Sequence, residues 1–193
     1  VDAFNRLVGR ITFDDGLDYV KDEAEKEYQM LSGISESVEN VDSVWLNTRA
    51  RLPWLIIGLL GGIASSLVIG NFEKELTANV QLALFMPLIM AMAGNVGVQS
   101  SSIIVQGLAN NTISNRGLWS ALSKELAVAI INGLVCSALL MGYGYIFGNS
   151  SDIMMTVSIA LLSVILLAAV IGTTVPLTLD KMKIDPALAT GPF

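Results

Sequence analysis

Residues 87–107 read PLIMAMAGNVGVQSSSIIVQG, an apolar stretch of membrane length into which Gly94, Asn95, Gly97 and Gln99 intrude. Roughly 20 apolar residues cross a ~30 Å hydrocarbon core. A backbone group left unsatisfied in that core costs several kcal/mol, so polar or irregular backbone there must line a water-filled path or pack on protein. The stretch therefore reads either as the working segment of a transport protein or as small residues for close helix packing. Pro87 lacks a backbone donor and is expected to kink the segment. Beyond it, Ala91, Ala93, Gly94 and Gly97 leave the main chain thinly covered. Asn95 and Gln99 stand i, i+4 and share a helix face, and Ser100, Ser101 and Ser102 add hydroxyls. Amide and hydroxyl oxygens are neutral donors of the kind hard cations accept.

Outward from this stretch, the whole C-terminal three-quarters of the chain is poor in charge. Leu52–Phe72, Leu76–Asn115, Leu126–Ser151 and Ile153–Leu179 carry none, and each is long enough to cross a bilayer. Residues 1–48, in contrast, hold eleven acids against four bases, a net −7, while the remaining 145 residues net +1. An acidic head thus precedes an integral membrane body, whose mean hydropathy lifts the chain to +0.63. This balance offers nothing to nucleic acid. Histidine is absent and Cys136 is the single cysteine, which excludes an intrachain disulfide and thiolate–imidazole zinc sites. Cys136 falls mid-span, as a small packing residue. No apolar signal segment opens the chain, and the sequence reads as part of a longer protein.

Basic residues settle the topology of the 40-residue run Leu76–Asn115. With one crossing, Arg49, Arg51, Arg116, Lys124, Lys181 and Lys183 share a side, against Lys74 and its acidic neighbours on the other; two crossings would abolish that asymmetry. The expected spans are 52–71, 80–109, 125–147 and 154–179, with the acidic head cytoplasmic in a multi-pass protein of the cell (inner or plasma) membrane. A fifth span is expected to begin near Gly191. Trp54 and Trp119 fit interfacial positions, Pro53 suits a first helical turn, and Pro176 predicts a kink or an early end. Gly58 and Gly62 form a small-xxx-small pair suited to helix contact. No carboxylate is expected inside any span, which argues against a proton-coupled pump.

In the head, Val8–Phe13 reads as a short strand. Thr12 and Asp15 have capping-box spacing, so a helix is expected to start near Asp14. Asp15, Asp18, Asp22 and Glu25 fall on one face of it, with Glu23 and Glu27 as a second acidic ridge. The ridge is read either as a solvated face or as a surface that takes hard cations. Ser32 and Gly33 end the helix, and Ile34–Val44 reads as a linker.

The run from Pro87 to Ser100, P-x6-G-N-x-G-x-Q-S, resembles the second transmembrane helix of MgtE-type magnesium channels. The resemblance extends to Val8–Thr12 with Asp14, Asp15 and Asp18, to Lys124-Glu125, and to Asp185-Pro186-Ala187-Leu188. It implies an all-α polytopic membrane bundle with four spans present and a fifth beyond, preceded by an acidic cytosolic helix. By that likeness residues 1–13 are the end of a cytosolic CBS domain, 14–33 an acidic connecting (plug) helix, 34–48 a linker, and 49–193 the transmembrane domain. It implies a homodimer conducting hydrated Mg²⁺ along Ala91, Gly94, Val98, Ser102 and Gly191, with Asn95 beside them. It also implies closure by cytosolic Mg²⁺ acting at Asp15, Asp18, Glu23 and Glu27, with Asp22 on the same helix. No reaction is catalysed. This chain departs from the family at Val98, where some members have asparagine, and at Lys21 and Lys26, which replace acids. The sequence does not separate Mg²⁺ from Mn²⁺, Co²⁺ or Ca²⁺. Two rival readings remain: a divalent-cation carrier or exchanger of the same fold, and a non-transporting membrane sensor.

Overall fold

The computed structural model describes residues 10–34, 38–39, 41–113 and 118–189. Among them the chain forms α1 (Phe13–Leu31), α2 (Val44–Gly70), α3 (Glu73–Ala78), α4 (Val80–Ala109), α5 (Leu118–Ile146), α6 (Ser151–Lys181) and a 3₁₀ turn, Pro186–Ala189. There is no strand among the described residues. Val8 and Gly9 lie outside them, and Phe13, expected to end a strand, instead opens α1. The reason is local: Thr12 and Asp15 cap the helix reciprocally, with Thr12 N–H donating to Asp15 Oδ2 at 2.8 Å and Asp15 N–H to Thr12 Oγ1 at 3.2 Å. At the other end Gly33, at φ 77°, lets Ile34 N–H reach the Gln29 carbonyl and Gly33 N–H that of Met30. This double return satisfies two carbonyls that the helix end would otherwise leave open.

Four helices, α2, α4, α5 and α6, are long and apolar enough to cross a membrane, and the chain is a multi-pass, all-α membrane protein. Two of them start eight residues before their charge-free runs. α2 begins at Val44, so the linker expected to run to residue 48 is already helical, and Pro53 sits ten residues inside rather than in the first turn. α5 begins at Leu118, seven residues before the expected start of span three. Charge marks where the hydrocarbon ends, whereas a helix continues into the aqueous border as long as its backbone bonds are made. The α3 turn carries Glu73, Lys74 and Glu75 between α2 and α4.

α4 is the single span expected over 80–109. Leu76–Asn115 holds one membrane-length helix, and the stretch with Gly94, Asn95, Gly97 and Gln99 is continuous α-helix from Val80 to Ala109 through Pro87. Glycine costs a helix about 1 kcal/mol relative to alanine, but in a medium without competing water the intrahelical bonds hold. α6 likewise runs through Pro176 to Lys181 without an early end.

α6 is the central helix and packs against both α4 and α5. Its buried positions, among them Met154, Val157, Leu161, Ile165, Ala169 and Thr173, recur at helical spacing. Lipid is as apolar as a leucine-rich core, so contact depends on close approach and polar ties rather than on hydrophobicity. On the α5 side, Gly133 and Gly144 leave room for Leu162 and Met154. Between them Ser137 Oγ donates to the Ser158 carbonyl at 2.9 Å, and Ser158 Oγ to the Ser137 carbonyl at 3.4 Å. On the α4 side, a Cβ at Gly172 would lie 2.7 Å from the Gly97 carbonyl oxygen, so main chains meet there. Cys136 is half-buried against this core, as a packing residue. α2 stands apart, with an apolar groove of ≈ 540 Å³ between its Ala64–Ile69 face and Met86–Met90 of α4. The small pair Gly58 and Gly62 meets nothing within 4 Å in this chain.

Candidate cation pathway

The helical pitch sorts α4 into two faces. At about 100° per residue, Ala91, Gly94, Asn95, Val98 and Ser102 form one stripe, and Ser100 and Ile104 fall on the far side. The structure fills only the far side. Ser100 is 1% exposed and Ile104 3%, both buried in the bundle. Ala91, Gly94, Asn95 and Val98 are exposed, Ser102 is half-buried, and nothing lies within 4 Å of a Cβ at Gly94. The candidate pore residues on α4 are thus brought onto one open surface; Gly191 lies outside the described residues. Asn95 and Gln99 are both exposed, on the shared side their spacing implies.

The stripe runs into a cavity of ≈ 520 Å³ at one end of the bundle. Ser102 and Gln106 of α4 line it together with Glu27 of α1, Asp180 at the end of α6, and Asp185 before the 3₁₀ turn. A candidate pore residue and a candidate regulatory acid therefore share one space. The turn itself is held by Asp185 Oδ1, which accepts the Ala187 N–H at 2.9 Å, and it packs on α1, α4 and α6. The same lining shows that the C-terminal ends of α1, α4 and α6 meet at one end of the molecule. Gly33 lies against the Trp54 side chain, which brings the start of α2 there as well. This grouping agrees with a single crossing by α4.

The other candidate acids are not gathered. α1 buries no residue, and Asp15, Asp18, Asp22 and Glu27 are exposed, with Glu23 half-buried. No group of three acids close enough to hold an ion forms among the described residues. The two lysines that break the acidic pattern pair locally, Lys21 with Glu25 at 3.8 Å and Lys26 with Glu23 at 3.7 Å. Such exposed pairs contribute little stability, but they place positive charge beside the acids of the ridge. The Asp15 carboxyl is held below its ordinary range, because Thr12 hydrogen-bonds it through side chain and backbone.

Sequence reasoning missed Glu125. It opens the expected third span, and with α5 starting at Leu118 it lies two turns into the helix, half-buried beside the exposed Lys124. Its Oε1 accepts the Ser100 Oγ–H at 2.6 Å. Ser100 faces away from the open stripe, so the carboxylate is engaged behind α4 rather than along it. Asp180 and Asp185 were also missed as cavity residues; the signal available was their place beside the ends of an apolar run. Ser101, 2% exposed, has no partner for its hydroxyl and borders a pocket of ≈ 160 Å³ between α4 and α6.

Comparison with known proteins agrees with these features. A family model described as MgtE, divalent cation transporter, matches residues 86–193. The chain is 32% identical over its whole length to proteins named magnesium transporter MgtE from Bacillus subtilis and from Thermus thermophilus, and covers 43% of each. It is equally similar to the one from Enterococcus faecalis, covering 42%. It therefore spans less than half the length of these relatives.

Proposed function

The chain belongs to the MgtE family of divalent cation transporters, and on that premise we propose that it forms the membrane part of a Mg²⁺ channel or transporter, with its ion path along the open stripe of α4. The observation that carries this reading is the division of α4 into a packed face and an unpacked one, with Ala91, Gly94, Asn95, Val98 and Ser102 all on the latter side. Mg²⁺ sheds water reluctantly and usually keeps several ligand waters. A wall of small side chains with an amide and a hydroxyl leaves room for the hydrated ion and meets its water shell with neutral oxygens. A second copy of the chain supplies the opposite wall in a homodimer. Gly191 extends the path, and Val98 supplies a non-polar contact to it.

The acidic head faces the cytoplasm of a cell-membrane protein in this reading, at the end of the bundle where Glu27, Asp180 and Asp185 line one cavity. Carboxylates converging on a cleft raise the local cation concentration. Cytosolic Mg²⁺ bound among Asp15, Asp18, Asp22, Glu23 and Glu27 screens their mutual repulsion and lets α1 settle over the cavity, closing the path. When Mg²⁺ falls, repulsion returns and α1 loosens.

Gly94→Leu tests the path. The full-length protein in liposomes is expected to lose Mg²⁺ flux to background while its oligomeric state in detergent is unchanged, because a Cβ at Gly94 meets nothing within 4 Å in the chain. Flux at the wild-type level would remove α4 from the pathway.

A further inference from the structure

α4 and α5 are joined through α6 but scarcely pack on one another. Their seam opens at both ends. Toward one end, Phe85, Leu88 and Met92 of α4 face Leu139 and Tyr143 of α5 across a groove of ≈ 570 Å³. Toward the other, Ile103 and Gly107 of α4 face Ala121 and Val128 across ≈ 260 Å³. Between these gaps stands the one side-chain hydrogen bond that joins the two helices among the described residues, Ser100 Oγ to Glu125 Oε1 at 2.6 Å. That length lies at the short end of the range for a hydroxyl donating to an oxygen. Ser100 is 1% exposed, so this donor has no water to fall back on.

Elsewhere in the bundle the buried or half-buried hydroxyls that form hydrogen bonds tie their own helix, as Thr173 does to the Ala169 carbonyl, or tie α5 to α6, while Ser101 has no partner. Among the described residues of α2, α4, α5 and α6, only the Ser100 hydroxyl reaches a carboxylate. Its position on α4 lies about half a turn from the centre of the Ala91–Gly94–Val98–Ser102 stripe. A rotation of α4 by one residue, about 100°, would break the bond and swing the stripe toward α6.

We infer that Glu125 is a positioning residue for ion passage: through Ser100 it sets the rotation of α4 about its axis, and so keeps the stripe facing the path. The inference rests on the reading of that stripe as the path wall. Glu125 itself touches no ion. Glu125 is half-buried near the N-terminal end of α5, and the Ser100 hydroxyl gives its carboxylate a partner there.

The test separates position from conduction. In full-length protein carrying Cys136→Ser and Val98→Cys, the rate of modification by a small, charged methanethiosulfonate reagent reads which way the stripe faces, whether or not ions flow. Ser100→Ala and Glu125→Ala are each expected to slow that rate about tenfold, in line with losing a hydrogen bond to a charged group. The double variant is expected to lose no more than either alone, and Glu125→Gln, whose carbonyl still accepts from Ser100, to retain most of the rate. Unchanged modification in Ser100→Ala, losses that multiply in the double variant, or Glu125→Gln behaving like Glu125→Ala would each overturn the proposal. Ser100→Ala changes a single oxygen, so it keeps the test decisive if Glu125→Ala does not assemble. Conduction in Gly94→Leu, by contrast, would refute the pathway reading while leaving the modification result to judge the tether.

Discussion

α1 and α6 are both long helices, and they are held by opposite means. α6 buries residues along its length and is gripped on two sides by small-residue contacts and hydroxyl ties. α1 buries none. It keeps its shape through its two ends, the Thr12–Asp15 box and the Gly33 turn. A clamp then joins it to the linker: the Gln29 side-chain amide donates to the Val38 carbonyl at 2.7 Å and accepts its N–H at 3.0 Å. A helix fixed by packing resists change everywhere along itself, whereas one fixed by its ends and studded with like charges is free to respond to ions. The contrast fits a rigid membrane core with a responsive head.

The strongest way to break this contrast is at the α4–α6 crossing. Gly172→Ala places a Cβ against the main chain at Gly97, where no side chain can move aside. The expected cost is about 1–3 kcal/mol, seen as a lower midpoint of thermal unfolding in detergent. Stability equal to the wild type would mean that the two helices do not meet as closely as described. A middle-sized effect is expected from removing acids of α1. Asp18→Ala with Glu23→Ala should leave that midpoint unchanged, since both side chains lie outside the core, yet raise Mg²⁺ flux several-fold at millimolar cytosolic Mg²⁺. Undiminished closure would deny α1 its regulatory role.

The smallest effect concerns the cap. Thr12 lowers the carboxyl pKa of Asp15, so the box contributes fully above the ordinary carboxylate value and fades as pH falls through the lowered one. Hydrogen exchange corrected for intrinsic rates should therefore show the first turn of α1 losing protection below about pH 4, with α6 unaffected. Thr12→Ala should remove the pH dependence. A first turn equally protected at pH 3 and pH 6 would show that the box does not hold the helix.

Much of this was legible before any coordinates. Charge-free runs of membrane length can be little other than crossings, and the capping spacing of Thr12 and Asp15 led directly to the start of α1. The stripe on α4 was also readable, since Ala91, Gly94, Val98 and Ser102 repeat at helical spacing. The glycine and asparagine content of that helix left its backbone open to more than one reading, because the same residues end helices in water. In hydrocarbon, where an unmade backbone bond has no substitute, the helix runs on.

By itself the sequence determined the number of crossings, the separation of an acidic head from an apolar body, and the caps of α1, because each follows from local chemistry or from the thickness of a bilayer. Only the tertiary structure decided that α6 is central, that the stripe of α4 is the unpacked face, and that Glu125 bonds Ser100 behind it. A soluble helix advertises its buried face by polarity. A spanning helix is apolar all round because lipid and core solvate it alike, so which face is packed is settled only by the arrangement of its neighbours.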